Sequence, residues 1–243
     1  MTILSPPSCY IQLVKLLLSE SPSEVLFLVL NYGDLLERAH ANFSPSQFSF
    51  KSMDDYIRKE RPAKVVKLHG STIWFMPIGP QQRNWHNLVK DLDLSQRTTD
   101  DELQVSHSTS QSLNLNINNK CVYPVLTAPL ARENVSDMVC HQPHIEFART
   151  LHKYCSRFMV IGSSGLDDDL LELLGDSIQA PHPSMQFVAG DHKVSHEVWE
   201  RFSFSNFIFR NPYTKQEDNP FFNGGFKQYT DDGAALEFLQ LHR

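Results

Sequence analysis

Val25-Leu26-Phe27-Leu28-Val29-Leu30 is an unbroken apolar run that stops abruptly at Asn31-Tyr32-Gly33-Asp34. A run this short, bounded by polar and turn-forming residues, fits a strand covered on both faces, as in the interior of a parallel sheet. Working outward, Ile11, Val14, Leu17 and Leu18 recur at helical spacing, so residues 10–20 read as a helix broken by Ser21-Pro22-Ser23. A second helix starts between Asp34 and Ala39. Residues 42–62 read as a loop with a helical turn around Met53 to Arg58.

Lys64-Val65-Val66-Lys67-Leu68 is the next strand candidate, closing at His69-Gly70-Ser71. Residues 76–120 form a polar insertion, rich in Ser, Thr and Gln over 106–112 and in Asn over 114–119. Such a stretch is a lid, a small subdomain or disorder. Beyond it, strands are expected at Cys121 to Leu126 (broken by Pro124), Arg157 to Ile161, Met185 to Ala189 and Asn206 to Phe209. Helices are expected at Pro143 to Cys155, Leu170 to Leu174, His196 to Phe202 and Gly233 to His242. Strands alternating with helices imply an α/β fold: a parallel sheet with helices on both faces.

The composition sets limits. The 243 residues are 41% hydrophobic and 21% charged, enough for one large domain with a buried core. A net charge of −6 argues against binding nucleic acid through its phosphates. Cys9, Cys121, Cys140 and Cys155 form no C-x-x-C pair, so they read as free thiols of a cytoplasmic protein, with no metal. The N-terminal apolar stretch is interrupted by Lys15 and too short to span a bilayer, so no membrane association is expected.

Ligands of open α/β sheets sit beyond the carboxyl ends of the strands, and three segments fall there. The Asn31 amide could orient a sugar hydroxyl or a water; taken alone, an Asn at this place is more simply a turn or a helix cap. His69 could exchange a proton near neutral pH, and Gly70 would admit a ligand close to the backbone; any one of the 11 histidines is more simply a solvated or core residue. The third segment, Gly162-Ser163-Ser164-Gly165, leads from a strand into a helix and could offer N–H groups to a phosphate or ribose. The following Asp167-Asp168-Asp169 reads first as helix capping, against metal binding or catalysis.

Together, and in this order, Asn31-Tyr32-x-Asp34-Leu35-Leu36-Glu37, Lys67-Leu68-His69-Gly70-Ser71-x-x-Trp74 and the Gly162–Asp168 loop resemble the sirtuin-like domain family. The nearest likeness is to its bacterial anti-phage defence group, which hydrolyses NAD; Tyr123-Pro124-Val125-Leu126-Thr127 resembles that group's proline-containing segment. The resemblance implies a Rossmann-like, sirtuin-like domain over residues 1–243. Asn31 would hold the nicotinamide ribose and the attacking water, and His69 would engage a ribose hydroxyl. Ser163 and Ser164 would contact the phosphates and adenosine ribose, with Asp34, Gly70, Ser71 and Gly162 completing the NAD site. NAD or a related ADP-ribose nucleotide is the expected substrate, with a protein partner or a second copy as further candidates.

The family also opens with a strand and a Gly-Ala-Gly loop that this chain lacks, so the chain is either an N-terminally truncated fragment or carries an incomplete phosphate site. Gly33 stands where the family usually has Asp, and Gly165 interrupts the Gly-Ser loop. The zinc cysteines of protein-deacylating sirtuins are absent, which weighs against deacylation. Two readings stand: an NAD glycohydrolase, and a degenerate sirtuin-like module that binds a nucleotide or a partner without turnover.

Overall fold

The computed structural model describes residues 6–20, 24–46, 48–77, 103–107, 116–117, 120–126, 141–174, 184–204 and 220–240. Helix α1 spans Ser8–Glu20, starting directly after Pro6-Pro7, and buries Cys9, Leu13, Val14 and Leu17 on one face. The apolar run that follows is strand β1, Val25–Val29. Helix α2, Leu35–Phe43, and a 3-10 turn, Met53–Tyr56, lead to β2, Ala63–Lys67. Strands β1 and β2 pair in parallel, Val25 opposite Ala63 and Val29 opposite Lys67.

The chain then departs from the sequence reading. Gly70–Pro77 forms β3, which pairs antiparallel with β6, Lys120–Leu126. Gln104–Val105 (β4) and Asn116–Ile117 (β5) complete a sheet of order β4-β3-β6-β5. Met76, Pro77, Gln104, Val105, Asn116 and Ile117, which fall in the segment read as a lid, a small subdomain or disorder, are strand residues of this antiparallel sheet. Strand β3 escaped notice because Ile73, Trp74, Met76 and Pro77 are all buried, which erases the period-2 alternation of a half-buried strand, and because its register shifts between Ser71 and Phe75. Pro124 does not break β6; it sits opposite Phe75 within the ladder.

Helix α3, Gln142–Leu151, continues into a 3-10 turn, His152–Tyr154. Then come β7, Arg157–Ile161; α4, Asp168–Leu174; β8, Ser184–Val188; α5, His192–Phe204; β9, Phe221–Phe222; α6, Gly225–Asp231; and α7, Ala234–Gln240. A second parallel sheet runs β7-β8-β9. The strand expected at 206–209 lies outside the described residues. The described residues therefore make an α/β structure with seven helices, two parallel ladders and one antiparallel sheet. Among the described residues, the parallel strands expected from the sequence form two ladders.

Side chains alternate across β1. Val25, Phe27 and Val29 pack toward Val14, Leu36, Ala39 and Val65 beneath α1 and α2. Leu26, Leu28 and Leu30 pack toward Val66, Ile145, Leu170, Phe187 and Phe202, beneath α3, α4 and α5. Helices thus cover both faces of the parallel strands, as expected. Among the described residues no helix is long and apolar enough to cross a membrane.

Candidate functional site

Lys67 is the last residue of β2 and is fully buried. A buried ammonium needs a countercharge and oxygen partners. Its Nζ donates to Glu37 Oε1 (3.0 Å), Ser71 Oγ (3.0 Å), the Gly33 carbonyl (2.6 Å) and the Tyr32 carbonyl (3.3 Å). The Tyr32 carbonyl also accepts from the Thr72 N–H (2.9 Å) and Ser71 Oγ (3.3 Å). One buried cation therefore ties the Asn31–Asp34 turn to the His69–Thr72 segment. Tyr56 donates to the same Glu37 oxygen at 3.2 Å; burial, and the neighbouring Glu37 carboxylate, push the Tyr56 hydroxyl well above its ordinary pKa. Sequence reading placed no role on Lys67 or Glu37. The signal available was a lysine closing an apolar strand.

His69 follows two residues later and is buried. His40, His144 and His152 each engage a backbone carbonyl, those of Leu36, Met53 and Ala148. His69 instead faces a carboxylate: Nε2 lies 2.5 Å from Asp167 Oδ2. The other oxygen of Asp167 accepts the Leu170 N–H at 2.9 Å and so caps α4. The capping reading of the acidic triplet holds for Asp167, and the same side chain orients the imidazole. His69 Nδ1 is buried without a hydrogen-bond partner, 3.9 Å from Asp169 Oδ2. In the neutral tautomer that donates Nε2–H to Asp167, Nδ1 carries the lone pair. His69, Asp167 and Asp169 can each bring one ligand atom within 4.8 Å of the others, a donor set of the kind that holds a divalent cation.

The remaining candidates have local roles. Asn31 is exposed, and its Oδ1 accepts the Gly33 N–H at 3.0 Å, the turn role weighed for it above. It joins the His69 segment through the neighbouring Tyr32, whose ring centroid is 6.5 Å from that of His69. Asp34 pairs with Arg38 at 3.1 Å. Gly70 has φ +83°, and a Cβ there would stand 2.0 Å from the Val125 carbonyl oxygen, so the close approach it permits is to β6. Ser71 is buried, its hydroxyl engaged with Lys67. The Gly162 N–H donates to the Val188 carbonyl at 3.1 Å. Ser163 Oγ accepts from the Gly165 N–H and Ser164 Oγ from the Leu166 N–H, at 3.1 and 3.3 Å. The Ser164 carbonyl accepts from Arg201. Leu166 projects from this loop largely exposed.

The three segments singled out in the sequence thus converge: the Asn31 turn on the His69 segment through Lys67 and Tyr32, and the His69 segment on the Gly162–Asp169 loop through Asp167. Cys9 and Cys155 are free thiols. Compared with known protein families, curated proteins and solved structures, the chain matches none of them.

Proposed function

We propose that the chain is a sirtuin-like, Rossmann-like domain that binds NAD and hydrolyses its nicotinamide–ribose bond. The observation that carries this reading is the buried His69, fixed by Asp167 through one ring nitrogen and unpartnered at the other, beside the Asn31-Tyr32 turn. The bond from the ribose carbon to the pyridinium nitrogen breaks, and its electron pair leaves with neutral nicotinamide. Water adds to the oxocarbenium-like carbon and yields ADP-ribose and a proton. No strong acid is required for this leaving group. The protein has to hold the pentose, accept a proton from a hydroxyl or water, and stabilise the transient positive charge. His69 Nδ1 supplies the base, and the Asp167 and Asp169 carboxylates supply negative potential. Asn31 reaches a ribose once its amide leaves the Gly33 N–H. A cytoplasmic setting and a role in anti-phage defence belong to the same proposal, on the strength of the motif resemblance.

A second reading, a nucleotide- or partner-binding module without turnover, is favoured by the engagement of Asn31 and Ser71 in local hydrogen bonds. One assay separates them. The full chain is incubated with NAD and nicotinamide release is followed, beside His69→Ala and Asn31→Ala. Release that both substitutions abolish supports hydrolysis at this site. Heat of NAD binding without release identifies the non-catalytic module, and release untouched by His69→Ala refutes the assignment of the base.

A further inference from the structure

One buried nitrogen of the candidate site makes no hydrogen bond. His69 is 1% exposed, its Nε2 lies against Asp167 Oδ2, and its Nδ1 is buried without a partner. A dry, unpaired ring nitrogen costs free energy and calls for a donor or a cation. What faces Nδ1 is a second, largely buried carboxylate, Asp169 Oδ2, at 3.9 Å. That separation is too long for a hydrogen bond between ring and carboxylate. It is near the spacing of two donors on one small ion. Donors each about 2.1 Å from a tetrahedral zinc stand about 3.4 Å apart, so an ion between them closes the pair by about half an ångström.

The contact with Asp167 points the same way. A histidine that ligates a metal through one nitrogen characteristically donates its other N–H to a carboxylate, which fixes the tautomer and makes the ligating nitrogen more basic. Asp167 sits 2.5 Å from Nε2, too close for an ion to enter between them. Nδ1 is therefore the nitrogen turned to a cation. Other buried histidines have apolar surroundings: His40 packs among Phe27, Phe48 and Phe50, and His144 against Tyr56 and Trp74. Among the described residues, His69, Asp167 and Asp169 are the group whose ligand atoms gather, all within 4.8 Å of one another.

We propose that His69 Nδ1 and Asp169 Oδ2 bind a zinc-like divalent transition-metal ion, with Asp167 as the positioning residue. An imidazole beside a carboxylate suits Zn²⁺ ahead of Mg²⁺ or Ca²⁺, which take oxygen donors. Water completes the coordination. The cysteine spacing that spoke against a metal concerned thiolate sites, whereas these donors come from two distant segments. The site does not rest on the hydrolysis reading. Where both hold, zinc and the proton compete for one lone pair, and zinc inhibits nicotinamide release.

The test uses the full chain, without NAD, titrated with Zn²⁺ and followed by the ¹⁵N resonances of the histidine rings. Asp169→Asn and Asp167→Asn, which keep the shape of the side chain, are measured beside it. The expected result is a saturable shift of His69 Nδ1 that Mg²⁺ does not reproduce. Asp169→Asn removes a ligand and is expected to weaken the affinity read at that resonance by about tenfold or more. Asp167→Asn presents an amide N–H to Nε2 and so moves the ring proton to Nδ1. It is expected to weaken zinc by about 10–100-fold although Asp167 touches no ion. Zinc shifts confined to His192 and His196, one turn apart on α5, overturn the proposal. So does a His69 shift equally strong in Asp169→Asn. Zinc at His69 Nδ1 in a chain that releases no nicotinamide supports the site and refutes only the hydrolysis reading.

Discussion

Asp167 holds His69 with one carboxylate oxygen, at 2.5 Å from Nε2, and holds the first turn of α4 with the other, at 2.9 Å from the Leu170 nitrogen. Helix and imidazole are thereby set by one side chain. Asp167→Asn keeps an oxygen for the cap but turns an amide toward the ring, so it is expected to retain most of the stability while nicotinamide release falls by about 10²-fold or more. Asp167→Ala removes the cap and leaves a buried ring nitrogen unpaired, and is expected to lower stability by about 2–4 kcal/mol in urea unfolding. Equal activity in Asp167→Asn and the unaltered chain argues against the orienting role.

Lys67 and Glu37 form an ion pair with both side chains fully buried. Lys67→Met leaves the Glu37 carboxylate uncompensated, and is expected to cost about 3–5 kcal/mol. The paired change Lys67→Met with Glu37→Leu should recover much of that stability, since a well-packed apolar pair replaces a buried ion pair at little loss. The double variant still lacks the cation that ties the Tyr32 and Gly33 carbonyls to β2. Backbone exchange over Asn31–Asp34 should therefore speed up even where global stability returns.

Two buried histidines make stability depend on pH. Burial pulls His40 down to about 4 from 6.5. Burial, then the neighbouring His141, pull His144 down to about 3. Both are neutral in the folded protein and protonate near pH 6.5 once unfolded, so the unfolded chain binds more protons as pH falls. Their contribution is complete above about pH 6.5 and is lost progressively as pH drops to about 4 for His40 and about 3 for His144, on the order of 3 kcal/mol for the first and 5 kcal/mol for the second. His40→Phe should flatten the urea-midpoint profile between pH 6.5 and 4. An unchanged slope there would exclude His40 as its source.

Glycines at positive φ separate structural need from loop freedom. Gly70→Ala drives a Cβ into the Val125 carbonyl at φ +83°, whereas at Gly162, φ +64°, a Cβ meets nothing within 4 Å. Gly162→Ala should cost only the left-handed penalty of about 1–2 kcal/mol. Gly70→Ala should cost several-fold more by the same urea titration, because β3 and β6 must separate. Equal losses would refute the close contact.

Local apolar patterning was enough to mark α1, β1, β2, β7 and most of the later helices, because a run such as Val25 to Leu30 constrains its own conformation and burial. It also marked the three segments that hold the candidate site, through turn-forming and polar residues at strand ends. It did not reveal β3, whose two-sided burial removes alternation, nor the partners of the chemistry-bearing side chains. Asp167 lies 98 residues from His69, and Glu37 lies 30 from Lys67. Nothing in the local sequence distinguishes an aspartate that caps a helix from one that also holds a histidine. Sequence by itself determined the strands and helices with strong local patterning, such as α1, β1, β2 and β7, since those preferences act between near neighbours. Only the tertiary structure decided which turn meets which strand, because a buried ammonium or imidazole takes its partner from whatever the packing of distant segments brings within hydrogen-bond reach.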